Sequence, residues 1–168
     1  MTREEVLAYF DMELDLTGIL PDYMYEDSEQ EYGFEEYLYD DGSNEIVPEC
    51  GFSYISDEGG RGVWWELAKQ FLYVEFREYG IPFPNVYAEI PEECRAGEIE
   101  MSRIQGQDVR IVRCTVKRES VEYGEYYVAD FMSGDLGVAI TARGMDWETV
   151  QKTIEYLVYY ALQREGGE

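Results

Sequence analysis

The chain of 168 residues carries 37 Asp and Glu against 13 Lys and Arg, which gives a formal net charge of −24, and it contains no histidine. This charge repels nucleic acid and anionic membranes, so we expect neither as a partner and expect a basic protein instead. The missing histidine excludes Ser–His and Cys–His nucleophile pairs, and a composition of 45% hydrophobic and 15% aromatic residues excludes disorder of the whole chain.

The acidic residues are concentrated near the N-terminus. Residues 1–60 hold 18 Asp and Glu and one Arg, a net charge of −17, whereas residues 61–168 hold 19 acidic and 12 basic residues. Within the first part, Asp22 to Asp41 has nine carboxylates, five tyrosines and no basic residue. The N-terminal third is therefore the unusual part of the chain.

The first predicted element is a helix from Thr2 to about Leu14. Thr2 and Glu5 form a capping-box pattern, and the apolar residues that follow have helical spacing. Residues 15–33 show neither a helical nor a strand period and include Gly18, Pro21 and Gly33. They are predicted to form a long acidic surface loop with room for one short helical turn.

From Phe34 onward the pattern is typical of strands. Tyr37 and Tyr39 precede an Asp41-Gly42 turn, residues 45–47 follow it, and apolar residues then alternate at positions 50, 52 and 54. One or two small hairpins are predicted here.

A central helix is predicted from Gly62 to Tyr79. Its apolar face is wide, which indicates a helix packed against a sheet. Gly80 and Pro82 end it, and a crossover segment is expected to continue to about Ala96.

The C-terminal half predicts an antiparallel meander followed by a helix. The apolar phase changes between Ile111 and Val112, which predicts a β-bulge. Asp146 is the predicted cap of a helix that ends at about Arg164. The short connections indicate antiparallel pairing of four strands, at Ile99–Ile104, Val109–Lys117, Glu125–Met132 and Leu136–Thr141.

Together these elements predict an α+β fold. The chain is interpreted as a single domain, residues 1–168, with an antiparallel sheet that contains the meander in residues 98–142. N-terminal, central and C-terminal helices are expected to pack mainly on one face of that sheet. An acidic, Tyr-rich surface region is expected at about residues 15–60.

The sequence offers weak candidates for metal or phosphate binding. Asp11, Glu13 and Asp15 have the spacing that begins a calcium loop, but Leu16 stands where that loop needs Gly. The stretch Gly59 to Gly62 could hold a phosphate at a helix start, but no P-loop Lys-Ser/Thr pair follows. We therefore predict no metal, no cofactor and no enzymatic activity, and interpret the acids as solvated and the glycines as a turn.

Cysteines and basic residues also favour structural roles. The three cysteines are Cys50, Cys94 and Cys114, and their odd number and wide spacing indicate a reducing compartment. A basic cluster in the meander is predicted to pair with the protein's own acids rather than with nucleic acid; it comprises Arg103, Arg110, Arg113, Lys117 and Arg118.

The acidic, Tyr-rich stretch is the candidate site. Rows of carboxylates can stand in for the phosphates that a nucleic-acid-binding groove expects, and aromatic side chains supply contact area. The competing interpretation is a solvated acidic loop that only increases solubility. The predicted partner-binding residues are Asp22, Tyr23, Tyr25, Glu26, Asp27, Glu29, Glu31, Tyr32, Phe34, Glu35, Glu36, Tyr37, Tyr39, Asp40 and Asp41.

In size and charge the chain resembles the anti-restriction and anti-CRISPR proteins of phages and mobile elements, although no motif assigns it to a family. The leading hypothesis is a cytoplasmic inhibitor that binds the basic surface of a nucleic-acid-binding enzyme, such as a nuclease, by mimicking DNA or RNA phosphates. The first alternative is an immunity protein or antitoxin that neutralises a basic nuclease toxin. The alternative of another class is a housekeeping adaptor or a carboxylate-dependent enzyme.

Overall fold

The structure is a computed structural model that describes residues 1–56, 70–78, 99–118 and 121–164. These residues form two helices and nine strands. In chain order the elements are α1 (Arg3–Phe10), β1 (Met24–Glu26), β2 (Glu35–Leu38), β3 (Asn44–Val47), β4 (Glu49–Ser56), β5 (Phe71–Glu78), β6 (Ile99–Ile104), β7 (Gln107–Arg118), β8 (Val121–Ser133), β9 (Leu136–Arg143) and α2 (Trp147–Gln163).

Seven of the strands form one antiparallel sheet in the order β1-β4-β5-β9-β8-β7-β6. The remaining two, β2 and β3, pair with each other as a separate hairpin. The described residues are therefore mostly β, and the prediction of a balanced α+β fold with three helices is wrong.

The central helix accounts for this error. Phe71–Glu78, which was assigned to its second half, is strand β5 between β4 and β9. Leu72, Val74 and Phe76 face the helices, and Glu75 on the opposite face is buried as well. A strand buried on both faces has a nearly continuous apolar run, which periodicity alone cannot distinguish from a buried helix. The first part of that predicted helix, the crossover to residue 96 and the glycines at 59–62 lie outside the described residues.

The N-terminal helix is confirmed, but it is shorter than predicted. The capping box is present, since Thr2 and Glu5 each accept a hydrogen bond from the other's backbone N–H. The helix ends at Phe10 because Asp11 adopts a left-handed conformation, with φ of 51°. From there to residue 16, exposed acids alternate with buried Met12 and Leu14. The acid spacing that suggested a calcium loop therefore follows from an extended segment with one buried side.

The meander and the C-terminal helix are confirmed. Strands β6 to β9 lie close to their predicted bounds, and Asp146 caps α2 by accepting a hydrogen bond from the Thr149 N–H at 2.9 Å. The bulge prediction is wrong, because the register is regular at Ile111 and Val112 and shifts at Val116/Lys117 instead. Ile111 and Val112 are both buried since they lie on opposite faces of a strand that is covered on both.

Both described helices pack on the same face of the sheet. The aromatic ring of Phe10 in α1 lies 5.8 Å from that of Phe76 in β5, and Arg164, directly after α2, donates to the Phe10 carbonyl at 2.7 Å. The main core lies between this face and the helices, and it includes Ile154 and Leu157 of α2.

Candidate functional site

The acidic region, which from here on means residues 22–41, begins along the outer edge of strand β4. Strand β1 pairs with the end of β4, with Met24 opposite Ser56 and Glu26 opposite Tyr54. The chain then continues backwards along β4, where the Asp27 N–H donates to the Ser53 carbonyl at 2.8 Å and the Ser53 N–H donates to the Gln30 side chain at 2.9 Å. The acidic residues from Asp22 to Glu31 are therefore spread along one edge of the sheet.

The interpretation of residues 15–33 as a surface loop is only partly correct. Leu16, Leu20 and Met24 are buried in the core, and the loop contains the short edge strand β1. The apolar side chains hold the segment against the fold. Asp22, Tyr23 and Tyr25 remain exposed.

The region ends in the β2–β3 hairpin. The predicted turn is confirmed, since the Gly42 N–H donates to the Tyr39 carbonyl at 2.9 Å and Gly42 has φ of 84°, a conformation that favours glycine. Side chains also join the two strands, because the Tyr39 hydroxyl donates to Glu45 at 2.6 Å and the Asn44 amide donates to Glu36 at 2.5 Å. The hairpin is thus cross-linked on both of its faces.

The structure divides the predicted contact residues into two groups. Four are partly buried and support the fold: Glu26, Asp27, Tyr32 and Phe34. The others are exposed: Asp22, Tyr23, Tyr25, Glu29, Glu31, Glu35, Glu36, Tyr37, Tyr39, Asp40 and Asp41.

Contacts of the partly buried group explain its burial. Glu26 accepts from the Arg3 guanidinium at 2.7 Å, the Tyr32 ring lies 5.4 Å from that of Phe52, and the Phe34 ring lies 4.6 Å from that of Tyr9. Burial also raises the pKa of the Tyr32 hydroxyl. These side chains fasten the acidic region to α1 and β4.

The charges of the acidic region are largely uncompensated. Of the nine carboxylates in residues 22–41, only Glu26 forms an ion pair with a basic residue of the described chain. By contrast, the basic cluster of the meander is neutralised locally, which confirms that prediction for three of its members: Arg103 pairs with Asp108 at 2.8 Å, Arg113 with Glu100 at 3.0 Å, and Arg110 with Asp130 at 2.5 Å. The side chains of Lys117 and Arg118 lie outside the described residues.

A buried cluster of two carboxyl groups lies where the hairpin joins β4. Arg77 Nη2 donates to Glu49 Oε1 and to Glu75 Oε1, each at 2.8 Å. Glu49 is 9% exposed and Glu75 is 3% exposed. Burial and then the adjacent Glu75 carboxyl group raise the pKa of Glu49 to about 8. The negative charge of the ionised Glu49 carboxylate in turn raises the pKa of the Tyr37 hydroxyl in the hairpin.

Two exposed residues of the hairpin were missed by the sequence analysis. Leu38 and Ile46 are 79% and 66% exposed. Neither residue is acidic or aromatic; the signal that identifies them is the period of two within the hairpin, which places positions 36, 38, 44 and 46 on one face.

The candidate metal ligands and cysteines that the structure describes have structural roles. No three His, Cys, Asp or Glu of the described residues lie close enough together to hold a metal ion. Cys50 is buried in the core, and burial raises the pKa of its thiol. Cys94 and the side chain of Cys114 lie outside the described residues. A surface pocket of about 310 Å³ lies beside β1 and is lined in part by Arg3, Asp22 and Glu26.

No protein-family model matches the chain, and the comparisons with curated proteins and with solved structures likewise found no match. Among the described residues, neither helix has the length and apolar character needed to cross a membrane.

Proposed function

We propose that this protein is a cytoplasmic inhibitor that binds the basic surface of a nucleic-acid-binding enzyme by presenting carboxylates in place of phosphates. It would act in the manner of anti-CRISPR or anti-restriction proteins of phages and mobile elements. The observation that carries the proposal is the set of seven exposed carboxylates in residues 22–41, along the β4 edge and on the β2–β3 hairpin, none of which forms an ion pair with a described basic residue.

The linear arrangement of these charges supports phosphate mimicry. The acidic region passes along the eight residues of β4 and continues in the four residues of β2. At about 3.4 Å per strand residue this path covers about 40 Å. Six carboxylates, at positions 26, 27, 29, 31, 35 and 36, lie on this path, which gives one charge per about 7 Å, about twice the 3.4 Å per charge of a single DNA strand.

The attachment of the region to the fold also supports a contact role. A loop that served only solubility would need no ordered backbone, whereas this one is hydrogen-bonded to β4 and packed through Tyr32 and Phe34. Fixed charges need no ordering when a partner binds, so less free energy is lost on association. The buried pair Glu49 and Glu75 does not favour the alternative of a carboxylate-dependent enzyme, because both groups are inaccessible to a substrate.

The experiment begins with capture of proteins from a lysate of the source organism on the immobilised chain, at about 0.15 M salt. The retained protein is identified and purified, and its association and dissociation rates are measured over a range of salt concentrations. A charge variant replaces Glu29, Glu31, Glu35 and Glu36 by Gln. We expect its association to be about tenfold slower at low salt and to depend less on salt, because steering charges act on the encounter rate.

The matched control removes the same number of carboxylates elsewhere, by replacing Glu4, Glu13, Glu148 and Glu155 by Gln. Its association rate should change less than that of the charge variant, because none of its carboxylates belongs to residues 22–41. Equal effects of both variants, or none, would reject the proposal. Retention of a basic nuclease toxin instead of a defence enzyme would favour the immunity-protein alternative.

A further inference from the structure

The two most exposed large apolar side chains of the described residues lie on the same hairpin. Leu38 is 79% exposed and Ile46 is 66% exposed, more than any other large apolar residue there. Isolated exposed apolar residues are normal on protein surfaces, but adjacent ones mark interaction sites. Their position in the β2–β3 hairpin therefore needs an explanation.

The register of the hairpin places both side chains on its outer face. Ile46 is opposite Glu36, and Leu38 is opposite Asn44. Cross-strand neighbours on one face of a sheet lie within about 8 Å of each other, so Leu38 and Ile46 form one apolar patch. The inner face carries Val47, which is buried. The inner face is attached to the fold at Val47, whereas Tyr37 and Tyr39 on that face are 47% and 50% exposed, and all four residues of the outer face are exposed.

This patch is surrounded by negative charge. Glu36 lies on the same face, and Asp40 and Asp41 lie in the turn. None of these three forms an ion pair with a basic residue of the described chain. A second copy of the chain would bring two such acidic borders together, and their repulsion disfavours self-association through this face.

We infer that the outer face of the hairpin is the apolar contact of the interface, and that it inserts Leu38 and Ile46 into an apolar depression bordered by Lys and Arg on a protein partner. This inference rests on the proposed function, because the acidic region supplies the attraction to a basic protein. It adds that the carboxylates govern the rate of association, while Leu38 and Ile46 govern the lifetime of the complex. Apolar contacts at the centre of an interface with a charged border follow this division.

The hairpin is prepared for this contact before binding. Tyr39 is hydrogen-bonded to Glu45, Asn44 to Glu36, and Asp41 to Ser43. A cross-linked hairpin loses little conformational freedom when it docks, which favours slow dissociation.

The test compares three chains against the protein that the wild-type chain retains from a lysate of the source organism, once that protein has been purified. A double variant carries Leu38→Ser and Ile46→Thr. The control carries Leu162→Ser, which removes an exposed apolar side chain from α2. We expect the double variant to dissociate at least about tenfold faster with an unchanged salt dependence of association, and the control to behave as wild type.

Several results would overturn the inference. These are equal dissociation rates of wild type and double variant, an empty capture, or a wild-type dimer in sedimentation that the double variant abolishes. A photo-crosslinking residue at position 38, compared with one at position 162, provides a second readout if the double variant folds poorly. Absence of a crosslink from position 38 to the partner would also overturn it.

The two variants distinguish failure of the hairpin contact from failure of phosphate mimicry. If the charge variant slows association while the double variant dissociates normally, phosphate mimicry stands and the apolar contact is rejected. If the double variant dissociates faster while the charge variant has no effect, the apolar contact of the hairpin stands and phosphate mimicry is rejected.

Discussion

Replacement of Glu49 by Gln should remove a pH dependence of stability that the wild-type chain possesses. In the folded state Glu49 is buried beside Glu75 and Arg77, and its pKa is raised from 4.5 to about 8. In the unfolded chain the same carboxyl group titrates near its ordinary value. Between the two values the folded state therefore holds a proton that the unfolded state has released.

The sign and size of the effect follow from this difference. Because the folded state binds more protons, the free energy of unfolding decreases as the pH rises. The stabilisation that protonated Glu49 contributes to the folded state is complete below about pH 4.5 and is lost above about pH 8. At about 1.4 kcal/mol per pKa unit, a rise from about pH 6 to about pH 8.5 crosses about two units of this range and removes about 3 kcal/mol. Water near the edge of the sheet screens the charge, so this is an upper bound.

Urea denaturation followed by tryptophan fluorescence measures the effect, since urea leaves the ionic strength unchanged. The wild-type free energy of unfolding should fall across this window, in which no histidine titrates. The Glu49→Gln variant should stay nearly constant and exceed wild type at the alkaline end, because its amide remains neutral. The control Glu29→Gln, at an exposed loop position, should keep the wild-type slope. Equal slopes for wild type and Glu49→Gln would refute the assignment of the raised pKa.

Three further predictions test other parts of the structure. Asp130→Ala should lower the free energy of unfolding by about 3 kcal/mol in urea denaturation. It removes a carboxylate that is 2% exposed and that accepts two hydrogen bonds from Arg110. A loss below about 1 kcal/mol would contradict a buried ion pair. Thr2→Ala should cost about 1 kcal/mol in the same assay, since the capping box with Glu5 is lost, and an unchanged value would show that the cap adds nothing. The purified chain should not bind duplex DNA or RNA, because its net charge of −24 repels polyanions; micromolar binding at physiological salt, measured by fluorescence anisotropy, would contradict this.

Features that depend on neighbouring residues were predicted correctly from the sequence. Thr2 and Asp146 cap helices because their side chains reach backbone N–H groups three residues away. The Asp41-Gly42 turn formed because glycine adopts positive φ without a steric penalty. The meander followed from strands joined by short connections. In each case the deciding interaction lies within a few residues.

Features that depend on what covers a strand were not predictable in this way. The residues of β5 read as a helix because the sheet buries Leu72 on one face and Glu75 on the other, and only pairing with β4 and β9 makes them a strand. The same two-sided burial produced the wrong bulge at Ile111. Local periodicity reports exposure on one side only, so it fails where both sides are covered.

The candidate site likewise combines features that the local sequence determines with features that depend on tertiary packing. The sequence by itself determined the concentration of charge in residues 22–41, its tyrosines and the hairpin turn, since these are properties of composition and local geometry. Only the tertiary structure decided which of those residues stay exposed, because burial of Tyr32 and Phe34 depends on distant partners such as Phe52 and Tyr9. It also decided that Leu38 and Ile46 remain uncovered by described residues, since the register places both on the face of the hairpin opposite the buried Val47.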